Sequence, residues 1–190
     1  MNVVLASGSP RRKELLEMLG VKDLKIIPAQ GEEKAPEGAG PGELVMALAS
    51  AKANEVRKLC APDDVIIAAD TIVWFEEKVY GKPHSRDEAI AMLTKLSGNS
   101  HQVYTGVCVI RAERELKEYE VTEVRFREMT AREIEAYVDT KEPMDKAGAY
   151  GIQGLGSLFV EKIDGDFYNV MGLPVERLGR TLARFGVNFF

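Results

Sequence analysis

The chain has 190 residues, 45% of them hydrophobic, with 25 basic and 30 acidic side chains and a formal net charge of -5. That length can bury a substantial core in one domain or two small lobes, and the acidic balance argues against broad binding to a nucleic-acid backbone. Cys60 and Cys108 lie far apart, with no Cys-x-x-Cys or Cys/His cluster, and so suggest neither a zinc site nor a disulfide framework.

Val3-Val4-Leu5 is predicted to be a short buried strand. It is too short for a signal-peptide core, and no apolar run reaches membrane-spanning length, so a soluble cytoplasmic protein with no membrane partner is expected. In Ser7-Gly8-Ser9-Pro10-Arg11-Arg12, Ser9 reads as a capping hydroxyl and Pro10 as the first helical residue. The helix is predicted to run to Leu19 with Leu15, Leu16, Met18 and Leu19 on its apolar face, and Gly20 ends it. Leu24 to Ile27 is a second strand, and the glycine- and proline-rich loop Pro36 to Gly42 leads into a helix from Glu43 to Leu59. Val65 to Trp74 is nearly continuous β-branched and apolar sequence, as expected of a central strand covered on both faces; only Asp70 and Thr71 interrupt it.

A short hairpin to Val79-Tyr80 is followed by a helix over Asp87 to Leu96, a strand over Val103 to Ile110 and a charged hairpin turn over Arg111 to Lys117. The return strand, Tyr119 to Phe126, changes apolar phase between Val121 and Val124, which predicts a bulge there. Ala131 to Val138 is a short helix. Asp145 to Gly156 holds Gly148, Gly151, Gly154 and Gly156, a density that implies close backbone approach. Leu158 to Ile163 is the last strand, and Pro174 opens a helix with Val175, Leu178, Leu182 and Phe185 on one face. Trp74 and Phe189-Phe190 read as packing. The fold class is α/β, with a mixed twisted central sheet and flanking helices.

The opening turn joins a strand, small residues and a helix N-terminus, which together offer backbone amides and a positive dipole end to an anion. Ser7 and Ser9 add hydroxyls. Arg11 and Arg12 each oppose the dipole by roughly 0.3–1 kcal/mol unless an anion neutralises them, which favours a phosphorylated ligand over a bare helix cap. Asp70 is a second anomaly, because an ionised carboxylate inside a buried strand needs a compensating cation or donors. Either it closes the strand and caps a turn with Thr71, or it stands at the strand's carboxyl end, where α/β sheets bind ligands, to hold magnesium or accept a proton from water.

Lys52 stands four residues from both Leu48 and Val56, on the apolar face of its helix. It either snorkels outward or supplies the cation that Asp70 and a phosphate need. Lys82, held extended between Gly81 and Pro83, is expected to aim into the same cleft. Glu32-Glu33 is either solvated or a second carboxylate for a metal. His84 and His101 form no pair, so hard oxygen ligands and magnesium are the expected metal chemistry. A phosphotransferase is disfavoured by the lack of a Gly-x-x-x-x-Gly-Lys-Ser/Thr loop.

Several segments, in order and spacing, carry a resemblance: Leu5-Ala6-Ser7-Gly8-Ser9-Pro10-Arg11-Arg12, Lys52-Ala53, Ala69-Asp70-Thr71, Gly81-Lys82-Pro83, Leu96-Ser97-Gly98 with His101 and Thr105-Gly106, Asp145 to Gly154, and Val170-Met171-Gly172-Leu173-Pro174. Together they resemble the Maf family of nucleotide pyrophosphatases across essentially the whole chain, implying one Maf-like domain over residues 1–190. The resemblance implies an elongated α/β fold similar to the inosine triphosphate pyrophosphatases, with two lobes around a cleft, and often a homodimer. It also implies hydrolysis of a nucleoside triphosphate to the monophosphate and pyrophosphate with a divalent cation, Mg2+ or Mn2+, in a house-cleaning role. The alternative is a nucleotide-binding regulator of septum formation without turnover.

Carried over by position, the resemblance puts the proton acceptor on Asp70, phosphate and metal groups on Ser7, Arg12, Glu33, Lys52 and Lys82, and base specificity on Arg11, Thr71 and Gln153. The implied metal ligands are Asp70 and Glu33. Asp145 to Gln153 resembles the subgroup acting on dTTP and UTP. Gly31-Glu32-Glu33 departs from an Asp-Glu common in the family, which leaves the functional glutamate at Glu32 or Glu33. Asp166-Phe167-Tyr168 departs from a common Ser-Tyr pair without touching an assigned role. The Gln153 amide matches the N3-H donor and O4 acceptor of thymine or uracil and, flipped, serves cytosine, so Thr71 and Arg11 are expected to shape the rest of the pocket.

Overall fold

The computed structural model describes residues 2–31, 34 and 36–190. In chain order these form β1 (Val3–Leu5), α1 (Pro10–Met18), β2 (Lys25–Ile26), α2 (Pro41–Arg57), β3 (Val65–Phe75), β4 (Lys78–Tyr80), α3 (Arg86–Leu96), β5 (Ser100–Arg111), β6 (Arg114–Phe126), α4 (Ala131–Asp139), β7 (Val160–Asp164), α5 (Phe167–Met171) and α6 (Val175–Ala183). The sheet has strand order β2-β1-β3-β5-β6-β7, with β4 paired to β3. It is mixed: β1 runs parallel to β2 and β3, while β4 and β7 pair antiparallel with β3 and β6. No helix of the described residues is long and apolar enough to cross a membrane.

The chain forms two compact units. The first contains Met1–Asp70, Thr105–Glu120 and Gly172–Phe190. Strand β1 and the start of its parallel neighbour β3 are buried on both faces, which is why both are uninterrupted apolar sequence. Val3 pairs with Val65 and Leu5 with Ile67, so Ile66 and Ala68 on β3 pack with Val4 of β1 against Ala49, Ala53 and Val56 of α2. A methyl group at Gly106 of β5 would overlap the Val45 backbone, so glycine lets α2 lie directly on the sheet.

The second unit contains Thr71–Tyr104 and Val121–Met171. Its core gathers Leu93 and Leu96 of α3, Phe126 of β6, Tyr137 of α4, Tyr150 and Phe159. β3 and β4 turn through Glu76 and Glu77, both with positive φ (49° and 58°), the geometry of a tight hairpin.

Several sequence expectations are corrected. Met18 is 56% exposed and takes no part in the apolar face of α1. The turn after β5 is only Ala112-Glu113, and the charged residues beyond it begin β6, whose pattern alternates between solvent and interior. From Val121 to Val124 the burial pattern alternates, without the phase change expected of a bulge. The alternation runs unbroken there because Val121 faces solvent and Thr122 faces inward, its hydroxyl accepting the Asp166 amide (3.0 Å) and the Asn169 side-chain amide (2.9 Å). The register shift along the β6–β7 pair falls at Arg125/Phe126 instead. Leu155–Phe159 is a 3-10 turn, so the last strand begins at Val160 rather than Leu158. Phe190 is exposed rather than packed, and α5 had no counterpart in the sequence pattern.

Candidate active site

The first unit holds the turn that joins β1 to α1. After β1, Ser7 Oγ accepts the Ser9 amide and Arg12 Nη1, each at 3.2 Å, while Arg12 Nε donates to the Gly172 carbonyl at 2.8 Å. The hydroxyl that organises this turn is therefore that of Ser7. Ser9 occupies the N-cap position, but its side chain makes no capping bond, and its own amide donates to Ser7 Oγ. The first turn of α1 contains no acidic residue and instead carries Arg11 and Arg12, both half-buried. Two cations beside the positive end of a helix make this corner electropositive.

Asp70 belongs to the same unit, on the strand that pairs with β1. Side chains alternate along a strand, so Asp70 projects to the same face as Ile66 and Ala68, the face covered by α2. Lys52 flanks the buried Ala49-Ala53-Val56 stripe of that helix, and its Nζ meets Asp70 Oδ1 at 2.5 Å. The two side chains are 19% and 10% exposed. Of the two readings of Lys52, the structure has the inward one. Asp70 is not at the end of its strand, since β3 continues to Phe75. The parallel pairing with β1 stops at Ile67, however, with the Ala6 amide still donating to the Ile67 carbonyl, so Asp70 falls just beyond the carboxyl end of the parallel segment.

Thr71, half-buried in β3, and Lys82 and Gln153, both exposed, belong to the second unit. The Gly148 amide donates to the Gly81 carbonyl at 3.0 Å, tying the glycine-rich stretch to the residue preceding Lys82. Glu33, with Glu32, lies outside the described residues. His101 is interior: Nε2 lies 2.9 Å from the Tyr150 hydroxyl, its ring packs edge-on to Phe126, and burial holds its pKa down at about 3, so it is a neutral packing residue.

Sequence reasoning quoted Gly172 within a motif but gave it no role, and it missed Glu142 and Tyr137, which hold the backbone around Gln153. Their signal was thin: a Glu-Pro at the head of a glycine-rich stretch.

For a divalent cation, the described residues contain no group of three or more His, Cys, Asp or Glu side chains. Among them Asp70 Oδ2 has no hydrogen-bond partner, since Lys52 engages Oδ1. One hard carboxylate oxygen fits Mg2+ or Mn2+, which are held through one or two carboxylates together with substrate phosphates.

The Maf-like protein family model matches residues 2–185. Two curated relatives, from Bacillus anthracis (strain CDC 684 / NRRL 3495) and Bacillus cereus (strain AH820), are each 50% identical over 186 residues, spanning 98% of this chain and 96% of theirs. Both are named dTTP/UTP pyrophosphatase. A HAM1 protein from Coxiella burnetii shares the fold at 16% identity, with a TM-score of 0.52 over 97% of this chain and 99% of that one. With the family match running from before β1 to beyond α6, this chain belongs to the Maf-like protein family.

Proposed function

We propose that the protein is a nucleoside triphosphate pyrophosphatase that hydrolyses dTTP and UTP, and modified pyrimidine nucleotides, to the monophosphate and pyrophosphate. The observation that carries this reading is the enclosed Lys52–Asp70 pair in the unit that also holds the Ser7–Arg12 turn. The name borne by relatives identical at half of their positions supports the choice of nucleotide.

In this reading Ser7, Arg12 and the first amides of α1 hold phosphate oxygens, with Lys82 as a further cation. Lys52 has three N–H donors, enough to fix Asp70 and serve a phosphate oxygen as well. Asp70, anchored through Oδ1, accepts a proton at Oδ2 from the attacking water. The water oxygen bonds to the α-phosphorus as the bond from that phosphorus to the α,β-bridging oxygen breaks, and the electron pair leaves with pyrophosphate. The basic side chains neutralise the charge that develops there. Mg2+ or Mn2+, for which Asp70 and Glu33 are the proposed ligands, would add Lewis-acid stabilisation of the phosphates. Gln153 reads the pyrimidine edge through its donor and acceptor, with Arg11 and Thr71 shaping the remaining selectivity.

The test is pyrophosphate release from dTTP and UTP with Mg2+, compared with dATP and GTP. Selective release is expected, and no pyrophosphate from any nucleotide would overturn the assignment. Asp70→Asn is expected to remain folded while kcat on dTTP falls on the order of 1,000-fold, the size of a general-base contribution. Turnover near wild type would remove Asp70 from its role.

A further inference from the structure

Gln153 stands exposed within a run of bends that no strand or helix supports, between Tyr150 and the 3-10 turn at Leu155–Phe159. An amide on an unsupported loop selects poorly, because discrimination requires its donor and acceptor to be held to a fraction of an ångström. Here the loop is closed around a carboxylate. Glu142 Oε2 accepts the Leu155 amide at 2.9 Å, and Oε1 accepts the Gly156 amide at 3.1 Å and the Tyr137 hydroxyl at 2.9 Å. The Tyr137 hydroxyl in turn accepts the Gly151 amide at 3.1 Å. The backbone two residues before Gln153 and that two residues after it are thus tied to the same Tyr137–Glu142 pair.

The supports are themselves anchored by packing and hydrogen bonding. Tyr137 is 4% exposed on α4 and packs edge-on against Phe159. Glu142 opens the 3-10 turn Glu142–Asp145 directly after that helix, and Lys146 Nζ donates to its carbonyl at 2.5 Å. The glycines follow from this closure: a methyl at Gly154 would overlap the Glu142 carboxylate, and one at Gly156 would come within 2.7 Å of the Tyr137 hydroxyl. Partial burial opposes the charge on Glu142, but the Leu155, Gly156 and Tyr137 hydrogen bonds outweigh it and hold its pKa below the ordinary glutamate value. Burial foremost pushes the Tyr137 hydroxyl above its usual range, so it remains protonated and able to donate.

We infer that Glu142, acting with Tyr137, is a positioning residue for base selection: it fixes the Gly151–Gly156 backbone so that the Gln153 amide meets the pyrimidine edge in one orientation. The inference rests on the proposed role of Gln153. A purely structural role would lower stability and affect all nucleotides alike, whereas positioning changes the ratio between bases that differ at the edge Gln153 reads.

The experiment compares wild type, Glu142→Gln, Tyr137→Phe and Gln153→Ala by steady-state kinetics on dTTP and dCTP. It adds thermal midpoints and hydrogen exchange at the Leu155 and Gly156 amides. Glu142→Gln keeps the shape but turns an NH2 group toward one of the donors. Its kcat/KM on dTTP is expected to fall about tenfold, the scale of one hydrogen bond to a charged group, through KM with kcat little changed. The dTTP:dCTP ratio is expected to move toward that of Gln153→Ala, and the two amides to exchange faster. Tyr137→Phe, which keeps the ring, is expected to show the same signature and carries the test if Glu142→Gln does not fold. An unchanged ratio in Glu142→Gln beside a shifted one in Gln153→Ala overturns this inference alone. An unchanged ratio in Gln153→Ala overturns the specificity role of Gln153 and this inference with it, and a wild type without pyrophosphate release overturns the function as well. Equal loss on both nucleotides, or unaltered amide exchange, also overturns the positioning role.

Discussion

Removing the ammonium of Lys52 would take from the enclosed Asp70 carboxylate the cation that meets it. Lys52→Met is therefore expected to destabilise the protein by about 1–3 kcal/mol, and adding Asp70→Asn should recover a good part of that loss. Urea midpoints of the two variants check it: a double variant no more stable than Lys52→Met would mean that the carboxylate does not depend on the lysine. This pair was legible in the sequence because a charge inside a β-branched run demands a partner, and a lysine on an apolar helix face is a candidate to provide one. The Arg12–Gly172 bond was not legible. Its partners are 160 positions apart, and a backbone carbonyl leaves no mark on the sequence. Ser9 looked like the cap because position and residue type favour it, yet its hydroxyl makes no capping bond.

At the scale of elements, the placement of Lys52 depends on how closely α2 approaches β5. Gly106→Ala would drive a methyl into the Val45 backbone, and overpacking of this kind costs about 1–3 kcal/mol. Because the helix must shift, we expect lower activity on dTTP together with a lower thermal midpoint. A variant with wild-type values of both would show that the helix can move without disturbing the site. Helices and buried strands were read from the sequence to within a few residues, since their signals are local: Pro10 at a helix start, the Pro36 to Gly42 loop ahead of α2, and apolar runs in β1 and β3. The errors cluster on half-exposed β6. There a charged run resembled a turn, and an outward-facing Val121 beside an inward-facing Thr122 resembled a bulge. Whether a polar residue faces the core depends on its tertiary partners, here Asp166 and Asn169 for the Thr122 hydroxyl.

For the whole molecule, stability should depend on acid through a group that takes no part in the proposed chemistry. An imidazole in the unfolded chain titrates near 6.5, while burial holds folded His101 at about 3. Above pH 6.5 both states are neutral; below it the unfolded chain takes up a proton that the folded one refuses. Stability contributed by the neutral ring is thus present above pH 6.5 and lost as pH falls toward 3, by up to about 1.4 kcal/mol per pH unit. Unfolding free energies between pH 6.5 and 5 should show this slope, and His101→Gln should flatten it; equal slopes in both proteins would place the acid sensitivity elsewhere. The sheet has a further consequence at its margins. One outermost strand, β2, is two residues long and begins with a lysine, and the other, β7, carries Glu161, Lys162 and Asp164. Neither offers a long apolar row of unpaired amides to a second chain, so concentrated samples should resist the edge-to-edge stacking that seeds fibrils.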